Sequence, residues 1–143
     1  MAEQKASVLV VANRTAGSDE LLEALRERAA RSPAKFHLVV PATAHGVSRV
    51  TDTHAGSSAA EHDLEGALER LRGAGLEIEG EIGDPEPVAA VQDAANSASY
   101  DEVIVSTLHK HVSRWLKLDL PSKAAHATGL PVTHVEARSK AHA

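Results

Sequence analysis

Two short stretches carry most of the side chains suited to holding a small anion. One is the run Ser106-Thr107-Leu108-His109-Lys110-His111-Val112-Ser113-Arg114-Trp115-Leu116-Lys117, and the other is Asn13-Arg14 near the start of the chain. Ser106, Thr107, Lys110, Ser113 and Arg114 are hydroxyl, ammonium and guanidinium donors of the kind that bind phosphate or carboxylate, with Arg14 facing them from the first loop. The protein as a whole is acidic, with 15 Lys and Arg against 20 Asp and Glu and a net charge of −5. A basic loop on such a background concentrates anions locally. The competing reading makes Lys110, Arg114 and Lys117 a solvated face, with Trp115 and Leu116 packed beneath the loop.

Other chemistries find less support. Ser106 and His109 form a conceivable nucleophile and base, yet no Gly-x-Ser-x-Gly elbow surrounds the serine. Gly17-Ser18 lacks the rest of a Walker phosphate loop. The 9 histidines are the one compositional oddity. His45, His54 and His62 lie near Asp52 and Asp63, a nitrogen and oxygen set that suits zinc, but their spacings match no compact metal motif and they read as surface histidines. His109-x-His111 would share a face on an extended segment and form at most a weak divalent site. His37 and His134 fall in strands, where a hydrogen-bonded or solvent-facing imidazole is commoner than a ligand. The absence of cysteine excludes disulfides, thiolate catalysis and cysteine-held clusters. Phe36, Tyr100 and Trp115 are too few aromatics for a base-stacking platform, and the negative charge disfavours nucleic acid and anionic membrane. No apolar run approaches the ~20 residues of a membrane span, and the opening residues lack a signal-peptide core, so a cytoplasmic protein is expected.

The elements that position these residues follow from the hydrophobic pattern. A chain of 143 residues, 43% hydrophobic and 24% charged, is one globular domain spanning 1–143, without room for a second core. Val8 to Ala12 is continuously apolar, as suits a strand covered on both faces. Ser18 caps a helix bearing Leu21, Leu22, Leu25 and Ala29, and Phe36 to Val40 is a second strand stopped by Pro41. The long stretch from Ala42 to Ser57 reads as a loop; Ser58 and Glu61 then have capping-box spacing ahead of Leu64, Ala67, Leu68 and Leu71. Leu76, Ile78, Gly80 and Ile82 alternate with Glu77, Glu79 and Glu81, the pattern of a half-exposed edge strand. Asp84 is read as the N-cap and Pro85 as the first residue of the next helix, which buries Val88, Val91 and Ala95. Val103-Ile104-Val105 is a buried strand, a short helix ends at Gly129, and Pro131 to Val135 is a final, more polar strand.

This alternation predicts an α/β three-layer sandwich with a five-stranded parallel sheet. The most apolar strands are the first, second and fourth, which puts the mixed third and fifth at the edges, in the order 3-2-1-4-5. Ligands of such sheets bind at the carboxyl ends of the two strands flanking the reversal of order. Those ends are Asn13 to Gly17 and Ser106 to Lys110, the two stretches with the chemistry.

The run from Glu81 to Thr107, Glu-Ile-Gly-Asp-Pro onward to Asp-Glu-Val-Ile-Val-Ser-Thr, together with Gly129-Leu-Pro-Val-Thr-His-Val135, resembles the universal stress proteins over roughly residues 6–136. The resemblance implies their five-strand architecture and, at the site, a nucleotide. Members that bind ATP place an aspartate at the end of the first strand, where this chain has Asn13. They also carry Gly-x2-Gly-x9-Gly-Ser/Thr after the fourth strand. Here the first two glycines fall on Ser106 and His109, and the last pair falls within Leu118-Asp119-Leu120. Side chains at glycine positions block the usual backbone wrap around phosphates. The expectation is therefore an altered nucleotide or anion site built from Asn13, Arg14, Ser106, Thr107, His109, Lys110, Ser113 and Arg114, with an adenine nucleotide as the implied ligand and a regulatory or stress-linked role. The alternative is a non-ATP-binding interaction module, with a slow nucleotide hydrolase third. The resemblance also implies a homodimer through the last strand, at Val132, His134 and Val135.

Overall fold

A computed structural model describes residues 5–12, 14–42, 53–108 and 119–137, with the backbone alone for 14, 53–60 and 108. The first strand, β1 (Ala6–Val11), runs into a single 3-10 turn (Arg14–Gly17) and then helix α1 (Asp19–Arg31). The chain continues through β2 (Ala34–Pro41), α2 (Thr53–Gly73), β3 (Ile78–Gly83), α3 (Pro87–Ser97), β4 (Glu102–Leu108), α4 (Leu120–Thr128) and β5 (Val132–Ala137). All four strand pairings are parallel, and the order is β3-β2-β1-β4-β5. The architecture is the three-layer α/β sandwich that the hydrophobic pattern predicts.

Alternate residues of each strand serve opposite faces, so the sheet carries two cores. Val8, Val10, Leu38, Val40 and Ile104 meet Leu21 and Leu25 of α1 and Leu64, Ala67 and Leu71 of α2. Leu9, Val11, Val39, Val103 and Val105 meet Ala90, Val91 and Ala94 of α3 and Leu120 and Ala124 of α4. Central strands are apolar on both sides because helices cover both sides. The edge strands are not so enclosed, and Glu77, Glu79 and Glu81 stay exposed.

Local signals set the ends of α1. Ser18 is extended at φ −75° and ψ 156°, and its hydroxyl accepts from the Leu21 amide at 3.2 Å. Asp19 and Glu20 sit in the first turn and Arg28 and Arg31 in the last, which complements the helix dipole. Arg28 is only 8% exposed and donates to Glu102 at 2.9 Å and to the Ser32 hydroxyl at 3.0 Å. The neighbouring Asp101 carboxylate accepts from the Ser7 amide at 2.8 Å. The acidic pair Asp101-Glu102 thus ties the start of β4 to β1 and to the end of α1.

Two helix starts differ from the sequence expectation. α2 begins at Thr53, ahead of the Ser58 and Glu61 capping-box pair, which therefore lies inside the helix. No proline stands between Pro41 and Pro85 to stop an earlier start, and a box signature is shared by many helix interiors. The N-cap of α3 is Glu86 rather than Asp84, and Pro87 rather than Pro85 occupies its first turn. A residue before proline is pushed toward the extended region. Glu86 accordingly sits at φ −88° and ψ 116°, and its carboxylate accepts from the Val88 and Ala89 amides at 3.3 and 2.9 Å. Asp84 instead closes the preceding turn by accepting from the Glu86 amide at 2.9 Å.

Candidate functional site

The order of strands reverses between β1 and β4, and both strands end on the same edge of the sheet. The chain leaving β1 tightens into the turn Arg14–Gly17, which closes with a bond from the Ser18 amide to the Thr15 carbonyl at 3.0 Å. That turn rests against the end of β4, and the two are clasped by one hydrogen bond: the Thr15 and Ser106 hydroxyls lie 2.6 Å apart, both fully enclosed. Thr107 points to the opposite face, because neighbouring strand residues alternate. Its hydroxyl lies 2.8 Å from Nε2 of His134 on β5. Residues 14–18 and 106–108 include no carboxylate, and α1 begins beside them with its positive dipole end. The Thr15, Ser106 and Thr107 hydroxyls are engaged with protein partners, and the amino end of α1 is the feature here that favours negative charge.

Of the residues singled out from sequence, the structure brings together the 3-10 turn that starts at Arg14 and the buried Ser106 and Thr107. Asn13, His109, Lys110, Ser113 and Arg114 lie outside the described residues, as do His45, Asp52 and His111. Ser106 is enclosed and engaged with Thr15, so its described role is to hold the two loops together. Thr15 was not singled out by sequence reasoning. Its signal was its place in the Asn13 to Gly17 loop at the switch point, but nothing in the sequence distinguishes an inward hydroxyl from a solvated one. Among the described residues no group of three His, Asp or Glu side chains is arranged to hold a metal, and no helix is long and apolar enough to cross a membrane.

Burying a hydroxyl pair is favourable only while both members are satisfied. Thr15→Val or Ser106→Ala alone will lower the unfolding free energy by about 1–3 kcal/mol, because each leaves a buried partner unpaired. The double variant will cost less than the sum, and chemical denaturation of the four proteins measures that coupling.

A second feature lies where the loop after β4 enters α4. Asp119 adopts φ 59° and ψ 44°, and among the described residues it alone, apart from glycine, has a positive φ. The left-handed region favours glycine because it has no Cβ. The resemblance to universal stress proteins laid that family's last glycine within Leu118-Asp119-Leu120. The backbone here keeps a glycine-type conformation with an aspartate in place. Asp119→Gly will therefore raise stability by up to about 1 kcal/mol, the relieved strain being partly offset by the freer unfolded chain. A thermal melt reads the sign directly.

No family model and no curated protein matches the sequence. Solved structures do match. A universal stress protein in complex with cAMP has a TM-score of 0.62 and 24% identity over 94% of this chain and 100% of its own. The universal stress protein from Archaeoglobus fulgidus in complex with dAMP has a TM-score of 0.60 and 16% identity, covering 92% and 98%. A universal stress protein family protein from Arabidopsis thaliana with AMP bound has a TM-score of 0.64 and 14% identity, covering 94% and 93%. Their agreement along nearly the whole length, added to the strand order and the closure of β1 on β4, establishes that this chain has the universal stress protein fold.

Proposed function

We propose that this protein is a regulatory, stress-linked binder of an adenine nucleotide or another small phosphate-bearing anion, held at the carboxyl ends of β1 and β4. The observation that carries this reading is the buried Thr15–Ser106 hydrogen bond, which closes the loop after β1 onto the end of β4 at the switch point. Similar structures contain cAMP, dAMP and AMP, which supports an adenine nucleotide as the first ligand to try. Asn13, Arg14, His109, Lys110, Ser113 and Arg114 would supply the polar contacts, with Ser106 and Thr107 anchoring the loops. Cationic side chains then do the work that backbone amides do in a glycine-rich loop. The test is Lys110→Ala/Arg114→Ala: the variant should bind AMP at least about tenfold more weakly than the parent, at unchanged thermal stability without ligand. Equal affinities in the two proteins would remove these residues from the site.

We further propose that β5 joins two copies of the chain. It is an edge strand whose Val132 and Val135 are half-buried, and an open edge presents unpaired backbone groups. Sedimentation should give twice the mass of one chain, and Val132→Glu should lower it toward one. A parent protein of single-chain mass at tens of micromolar would overturn the dimer.

A further inference from the structure

The end of the sheet away from the switch point holds a groove of about 430 Å³. That volume lies within the ~300–1,000 Å³ of small-molecule sites. Its floor is the amino half of β2 and β3, where Lys35 and His37 stand beside Glu77 and Glu79 in register. Its wall is Ser99 and Tyr100, from the turn between α3 and β4. The helices leave this part of the sheet face open, because α3 covers Val39 and its neighbours further along the strands.

Most charges around the groove are already committed. Glu77 is paired with Lys5, whose ammonium holds the carboxyl below the usual carboxylate range. His37 Nε2 lies 3.2 Å from Glu81, and the Tyr100 ring tilts against the imidazole at 6.2 Å. Burial, and secondarily Glu81, raises the Tyr100 hydroxyl above its ordinary pKa, so the ring stays neutral at physiological pH. Two opposite charges are left without an ion-pair or hydrogen-bond partner among the described residues: the Lys35 ammonium, which reaches Glu77 only at long range, and the Glu79 carboxylate. They lie on one face of adjacent strands and two positions apart, which sets their Cα atoms about 8 Å apart. A cation and an anion thus stand on one face of the groove within reach of a single small molecule, as an α-amino acid, which carries its ammonium and carboxylate on one carbon, would require.

We propose that this groove binds a small zwitterion of amino-acid size, its carboxylate toward Lys35, its ammonium toward Glu79 and its apolar body against Tyr100. The site is separate from the anion site at the other end of the sheet and stands independently of it. The test is a titration of the 15N-labelled full chain with L-phenylalanine, propylamine and sodium propionate, followed by amide shifts. L-Phenylalanine should saturate, moving the amides of Lys35, His37, Glu79 and Tyr100, and should bind about tenfold more weakly to Lys35→Ala and to Glu79→Gln. Propylamine should lose affinity only in Glu79→Gln, and propionate only in Lys35→Ala. Both substituted side chains are exposed, so the spectra of the free variants should otherwise overlay the parent. No saturable shift at about 20 mM L-phenylalanine, shifts indifferent to both substitutions, or a loss in only one variant would each overturn the proposal.

Discussion

Leu38→Ala will lower the unfolding free energy by about 3 kcal/mol. Leu38 is fully buried on β2, in register with Val10 of β1 on one side and Gly80 of β3 on the other. Its side chain belongs to the core between the sheet and helices α1 and α2. Truncation removes the transfer free energy of three carbon atoms and leaves a cavity that a parallel sheet, tied at both sides, cannot close. Leu22, only partly buried at the margin of the same core, provides the control. Leu22→Ala should cost less than half as much, since its site is already open to solvent. Urea unfolding of both variants checks the ratio; equal losses would mean that the core is not where the structure puts it.

Gly80→Ala will also destabilise, by about 2 kcal/mol, against the usual sign of that change. Replacing glycine by alanine in a strand ordinarily stabilises by about 0.5–1 kcal/mol through the unfolded chain. At Gly80 a Cβ would stand 2.7 Å from Leu64 Cδ1 and 2.9 Å from the Leu38 carbonyl oxygen. The leucine methyl can rotate away, but the carbonyl is fixed in the sheet. Steric overlap therefore exceeds the entropic gain. Gly83→Ala meets Val39 Cγ1 at 2.7 Å and Ala90 Cβ at 3.1 Å, so it presses α3 off the sheet in the same way. At these two glycines, side chains of α2 and α3 stand within 3.4 Å of where a Cβ on edge strand β3 would lie. Denaturation midpoints of Gly80→Ala and Gly83→Ala at or above that of the parent would contradict this packing.

These positions also mark how far the sequence alone could be read. Val8 to Ala12 and Val103 to Val105 announced central strands, and the Glu-Ile alternation from Glu77 to Ile82 announced an edge. Those signals are local, and together with a two-face rule they were enough to order the sheet and locate the switch point. The Arg28–Glu102 pair and the Thr15–Ser106 bond join residues far apart in the chain, and no periodicity predicts them. Gly80 looked like any small residue on an exposed strand until α2 was laid over it. The caps were misread for a different reason: Asp84 and Glu86 both stand before a proline, and only the backbone settles which of them opens α3. The place of Ser106 and Thr107 at the end of β4 was legible because they follow an apolar run. Thr15 was not, since loop hydroxyls carry no mark of burial. Asp119 hid a glycine-type backbone behind a side chain, which a motif search for glycine cannot see.

The claim that joins these observations is that a small anion binds where β1 and β4 end. Calorimetric titration of the full chain with AMP tests it most directly. The account predicts saturable heat at one site per chain, weakened at least about tenfold in Lys110→Ala/Arg114→Ala. No measurable binding of AMP, ADP, ATP or cAMP at millimolar concentration would contradict it, and would favour the interaction-module reading.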